Sequence, residues 1–251
     1  MRHLRRWLVI ADIVRLPAVP RLLVLTQLAF NVGFYLVVPF LAGHLAGDLG
    51  LAAGAVGLVL GLRTFSQQGL FLLGGLLADR FGVRPVVLAG CAVRVAGFVV
   101  LAVAGSLPGV LAGAMLTGVA AALFSPAVES ALAREGARLE TAGRFPRTTL
   151  FAMFAVAGEV GAVTGPLVGV LLLGVGFRAA SVAAAVVFVA ILVMHWRWLP
   201  GGPGAHAGEP VGAGLRAVFG NRRFLVFAVA NSQGPGYPPL LDQFSGPAQP
   251  L

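Results

Sequence analysis

Seven of the polar side chains that interrupt the long apolar runs stand out. Their types and spacing are what this chain offers for chemistry. Gln27, Asn31 and Tyr35 recur every fourth residue, so they share one face of a helix. Arg63 and Gln67 repeat that spacing, with Ser66 and Gln68 beside them, while Arg94 and Glu159 each stand alone. Such groups are expensive in an apolar medium and mark routes for a solute or a proton, so all seven are candidate substrate or proton residues. Glu159 either carries a proton or is permanently paired with an arginine such as Arg94.

Other chemistries lack the residues to carry them. The chain has no H-E-x-x-H, G-x-S-x-G, phosphate loop or carboxylate dyad, so no catalytic residue is assigned and an enzyme is not expected. His44 and His195 read as lone loop or interface histidines without a second ligand at metal spacing, so no metal is expected. The single cysteine, Cys91, lies in an apolar run and reads as a small buried hydrophobe. No cofactor is implied. Coupling to a proton gradient is left open, as is the identity of any other coupling ion.

The elements that must position these residues follow from composition. The 251 residues are 58% hydrophobic and only 11% charged, with a mean hydropathy of +0.92. A water-soluble domain needs more polar surface than that. Six apolar runs, at 22–41, 53–77, 86–104, 109–132, 148–173 and 179–196, are each about the ~20 residues a bilayer-crossing helix needs. They do not alternate with period two, which excludes a closed barrel of strands. The expected fold is therefore all-α, a polytopic bundle of six transmembrane helices, with the bilayer as its first partner.

Before the bundle, residues 1–21 carry Arg2, Arg5, Arg6, Asp12 and Arg15 and have no cleavage pattern. They read as a cytoplasmic amphipathic segment lying on the membrane surface. The bundle itself covers 22–198, and a linker covers 199–223. A seventh apolar run starts at Phe224 but meets Asn231, two glycines and three prolines by Pro239, so 224–251 reads as a truncated seventh helix with a Pro/Gly-rich tail.

Charge orients the bundle. All eighteen basic residues are Arg. With the N-terminus inside, Arg178 alone falls outside, Arg63 and Arg94 lie within spans, and the other fifteen are cytoplasmic. An asymmetry this strong accounts for the net charge of +9 without nucleic acid. Trp196 and Trp198, beside Arg197, fit an interfacial anchor. The expected location is the plasma membrane.

Between the second and third runs stands Gly75-Leu-Leu-Ala-Asp79-Arg80-Phe-Gly82-Val-Arg84, which reads G-x-x-x-D-R-x-G-x-R. The fifth run carries Gly161-Ala-Val-Thr-Gly165-Pro166-Leu-Val-Gly169. Glycines four apart make a flat ridge for a neighbouring helix, and Pro166 adds a bend. The first pattern resembles the loop between the second and third helices of major facilitator superfamily transporters. The second is similar to the pattern that antiporters of that family carry in the fifth helix.

The resemblance covers about nine tenths of the chain. It implies the six-helix N-terminal half of a twelve-helix transporter, built as an inverted three-plus-three repeat, with Pro39 and Pro126 at comparable points of its two parts. It implies that Gly75, Asp79, Arg80, Gly82 and Arg84 form a conformational latch in which Gly82 turns the chain and Asp79 accepts from Arg84 or from backbone amides. It also puts Gln27, Asn31 and Tyr35 on the cavity wall. The implied activity is secondary-active efflux of a small molecule.

Two departures limit the substrate. The place of the span-four arginine is apolar, near Ala114 and Met115, and span one has no acidic residue to favour cationic drugs. The other readings left open are an autonomous six-helix protein acting through homodimerisation or partner binding, and an inactive fragment. A lone six-helix half has nothing to rock against, so no transport by a monomer is expected.

Overall fold

The computed structural model describes residues 13–204 and 207. The expected seventh helix and most of the linker lie outside the described residues, as do the first twelve residues.

Among the described residues, six helices are long and apolar enough to cross a membrane: Ala18–Asp48, Ala53–Phe81, Val83–Val103, Leu107–Thr141, Arg147–Leu173 and Phe177–Trp198. They are called spans one to six below. Much of their apolar surface has no protein covering. Leu167 is 64% exposed and Leu171 77%, and such a surface needs hydrocarbon or another apolar protein face against it.

Prolines shape span one at both ends. Its helix starts at Ala18 rather than at residue 22, because Pro17 at the N-cap and Pro20 in the first turn need no intrahelical donor there. The helix Ala18–Tyr35 then stops, and a second helix, Val38–Gly43, carries on. Pro39 is the cause: it lacks the N–H that would bond the Tyr35 carbonyl, and its ring crowds that oxygen. One π-helical turn, His44–Asp48, completes the span beyond its expected end at residue 41. In that turn His44 Nδ1 lies 2.6 Å from Asp48 Oδ2 and the imidazole stacks on Phe177 at 3.9 Å.

Span two is also in two pieces, Ala53–Gly69 and Phe71–Phe81. Span four, by contrast, is one helix of 35 residues that carries Pro126 without interruption. At ~1.5 Å per residue it is over 50 Å long against a ~30 Å hydrocarbon core, so its last turns leave the membrane. The helix therefore runs on past residue 132, where the membrane-crossing run was expected to end. Beyond it, Arg138 sits 3.8 Å from Glu135, and Glu140 accepts from the Arg147 amide at 3.3 Å. The helix closes at Gly143, whose φ of +65° lets the amides of Gly143 and Arg144 return to the Glu140 and Leu139 carbonyls.

Packing reveals the internal symmetry. Span one lies on five and six, two on four, and three on four and six. Exchanging one with four, two with five and three with six maps this set of neighbours onto itself, as a pseudo-two-fold repeat requires.

Candidate functional site

The bundle centre is an aromatic cluster with a guanidinium inside it. On span one, Phe30 and Phe34 are four residues apart and point the same way, into spans three, four and six. Phe30 stacks on Phe124 at 4.5 Å and meets Phe188 edge-on at 5.2 Å. Arg94 of span three enters this cluster and is 0% exposed. Its Cζ lies 4.7 Å from the Phe30 ring, 5.2 Å from Phe188 and 5.3 Å from Phe34. None of its three side-chain nitrogens has a hydrogen-bond partner.

Arg63 of span two stands at the edge of the same cluster, 4.9 Å from the Phe34 ring. It donates from Nη2 to Gln67 Oε1 at 3.2 Å, across one helical turn, while its Nε is buried and unpartnered. Two cations thus share one phenyl ring, and among the described residues neither is ion-paired. Magnitudes show that the rings do not balance this arrangement: a desolvated cation–π contact contributes about 2 kcal/mol, whereas a buried unpaired ion costs several kcal/mol and here has a second cation nearby.

Depth alone suggests pairing Arg94 with Glu159, and the structure does not make that pair. Glu159 is exposed on span five and has no ion pair among the described residues. The helical spacing that aligns Gln27, Asn31 and Tyr35 does put them on one face, and that face borders the glycines of span five. A Cβ added at Gly158 would lie 3.3 Å from both Gln27 Nε2 and Asn31 Nδ2. At Gly161 it would lie 2.5 Å from the Leu28 carbonyl oxygen, at Gly165 2.8 Å from Tyr35 Cβ, and at Gly169 2.6 Å from the Leu36 carbonyl oxygen. The glycine ridge is the seat of span one, and the three polar residues are half-buried along its margin. Asn31 Nδ2 donates to the Gln27 carbonyl at 3.1 Å. Pro166 lies within the span-five helix, which continues to Leu173.

The span-two to span-three turn is held differently from the expectation. The Asp79 carboxylate makes no hydrogen bond or ion pair among the described residues. Arg84 donates instead to the carbonyl of Trp196 at the end of span six. Gly82 has φ +89°, and a Cβ there would collide with the Gly202 carbonyl oxygen, so the residues after span six lie directly on the turn. Gly75 makes no close approach within the bundle, its nearest neighbour being Pro126 at 3.9 Å from an added Cβ. Its neighbour Gly74 is the tight one, against the Ala122 carbonyl of span four. Arg80 lies over the Phe81 ring at 5.2 Å.

Several residues were missed at the sequence level. Phe30, Phe34, Phe124 and Phe188 look like ordinary apolar residues, and only the spacing of Phe30 and Phe34 on one helix face hinted at a cluster. His195 is not an interface residue: it is 0% exposed, with Nδ1 2.9 Å from the Ile191 carbonyl oxygen and Nε2 3.4 Å from Thr26 Oγ1. No group of three or more His, Cys, Asp or Glu side chains that could hold a metal occurs among the described residues.

Six spans among the described residues, related by an internal pseudo-two-fold around an apolar core that holds two arginines, define a multi-pass membrane protein of the transporter class. Comparison places it within that class: the model of the Major Facilitator Superfamily matches residues 23–239, and the chain belongs to this family. An uncharacterized MFS-type transporter of Mycobacterium tuberculosis is 47% identical over 212 residues, covering 84% of this chain and 49% of the relative. The multidrug resistance protein MdtH of Salmonella typhi is 34% identical over 207 residues, covering 82% and 50%. The chain spans about half the length of the curated relatives it matches.

Solved structures agree on the fold. A peptide transporter POT in complex with sulfate superposes with a TM-score of 0.63 at 21% identity, over 91% of this chain and 48% of that one. A POT family transporter in complex with 5-aminolevulinic acid gives 0.66 at 16% identity, over 84% and 44%. The family and these relatives are transporters, not enzymes.

Proposed function

We propose that this bundle works as one half of a secondary-active efflux transporter in the plasma membrane, with its N-terminus in the cytoplasm. The observation that carries the reading is Glu159, exposed near the middle of Arg147–Leu173 in a stretch where Val156, Val160 and Val163 are exposed as well. Lipid does not accept a lone carboxylate at that depth, so this face belongs to water or to a second bundle. Span two, its mate under the pseudo-two-fold, exposes Thr64 and Gln68 in the middle of its own length. Spans two and five are also the least covered of the six, with 17% and 22% of their most apolar stretches buried.

A second six-helix bundle seated there would enclose a polar path at the midplane and supply what alternating access requires. The likeness to a multidrug resistance protein supports a small organic substrate moved outward, with the proton gradient as the coupling source. The second bundle comes either from the rest of a longer polypeptide or from another copy of this chain. A disulfide formed in the membrane by the Glu159→Cys variant at twice the chain mass would favour the copy.

The test is drug accumulation in an efflux-deficient host making this chain, alone and together with the second half of a relative. Lowered accumulation that disappears with Glu159→Gln and on collapse of the proton gradient is the expected result. Accumulation that never responds to the chain in either arrangement would end this reading.

A further inference from the structure

We propose that Arg94 and Arg63 form a binding site for a small carboxylate-type anion with an aromatic or otherwise flat apolar body. This deepens the transporter reading by naming a substrate class, and rests on that reading only for the word substrate. A planar guanidinium presents N–H donors in a fork that matches the two oxygens of a carboxylate. Arg94 has that fork free: it is fully buried, and none of its nitrogens is hydrogen-bonded. Arg63 adds a second positive charge against the same Phe34 ring, and its remaining donors flank the bond to Gln67.

Both cations lie among phenyl rings, and no carboxylate of the described residues neutralises either one. A site with two like charges and no counter-charge is complementary to an anion, and the rings of Phe30, Phe34 and Phe188 supply apolar surface for a flat body beside it. Phe34 also provides the way in. It is half-buried and touches both guanidiniums, so rotation of its ring opens Arg94 toward Arg63 at the cluster's edge. A free anion can follow that route, whereas a side chain tethered to another bundle would have to reach past Phe34 into the core, so the occupant is a diffusible molecule.

Benzoate is the probe, with its uncharged isostere benzamide as the comparison. The chain in lipid nanodiscs is titrated with each at constant ionic strength while tryptophan fluorescence follows melting. Benzoate is expected to raise Tm progressively with the logarithm of its concentration once that exceeds Kd, and benzamide to leave it unchanged. Arg94→Gln should abolish the benzoate response. Arg94→Lys, which keeps the charge and loses the fork, should weaken it by about tenfold or more, the factor that one lost charge-assisted hydrogen bond implies.

Without ligand, Arg94→Gln should melt no lower than the parent, because it removes an uncompensated charge. If that variant does not fold, Arg63→Gln at the cluster edge carries the test, and an unchanged Tm shift at each benzoate concentration there overturns the site. Equal shifts from benzoate and benzamide, or a benzoate shift that survives Arg94→Gln, overturn it as well. A benzoate shift that depends on Arg94, in a protein that moves no solute, would uphold the anion site while ending the transport reading. Drug efflux that is indifferent to Arg94→Gln, with no benzoate shift, would do the reverse.

Discussion

A glycine in span five matters for what it lacks. Gly165 sits where a side chain would meet Tyr35 Cβ at 2.8 Å and the Val32 carbonyl oxygen at 2.9 Å, so Gly165→Val must push spans one and five apart. The expected loss is about 1–3 kcal/mol, the usual cost of overpacking, read as a lower Tm in detergent. Gly57→Ala is the control. Nothing lies within 4 Å of a Cβ at Gly57, so this change should be neutral or stabilising by up to ~1 kcal/mol through helix propensity. Equal losses from both changes would show that the ridge is not a packing surface. At this scale the spacing of Gly161, Gly165 and Gly169 was legible, because three glycines at four-residue intervals can only line one helix face. Which helix they receive was not, since the partner is 130 residues away in the chain.

Span one shows how a single residue sets the form of an element. Pro39 ends the helix at Tyr35 and thereby places the turn at Leu36 and Val37. Pro39→Ala restores a donor to the Tyr35 carbonyl and removes the clashing ring. Hydrogen exchange should then find the amide gained at position 39 protected within a continuous helix. Exchange at that position as fast as in an unstructured peptide would mean that the break is imposed by packing and not by the proline. Pro126 gives the contrast, since span four absorbs it without interruption. A hydropathy reading sees two prolines in two apolar runs and cannot tell these outcomes apart. For the same reason it ends span four at residue 132: the water-exposed turns that follow are helical through Glu135, Arg138 and Glu140, which resemble a loop in composition only.

For the whole molecule, the pressing question is which side of the membrane each end faces. The orientation proposed from the arginine asymmetry has the Arg138 turn inside and Arg178 outside. In right-side-out vesicles, an impermeant maleimide should therefore label Arg178→Cys before lysis and Arg138→Cys only after it. The native Cys91 is buried and should stay silent. Labelling in the opposite order would invert the orientation and, with it, the direction of transport proposed above. The Arg138 site is well suited to the measurement, because its side chain is 79% exposed on the extramembrane end of span four.

Composition and patterning alone determined that this polypeptide lives in a bilayer, that residues 22–198 hold six helices able to cross it, and which loops are basic. Those properties follow from local chemistry: apolar runs of sufficient length, a lack of strand alternation, and arginines between them. The recurrent glycines and the Asp79 turn likewise carried the family resemblance. Tertiary structure decided the rest. It placed Arg94 among phenylalanines from spans one and six instead of beside Glu159, gave Arg84 the Trp196 carbonyl instead of Asp79, and turned the Gln27, Asn31 and Tyr35 face onto a glycine ridge. Each of these is a contact between helices far apart in the chain. Periodicity states which face of a helix a residue occupies, but only the packed bundle assigns that face a neighbour.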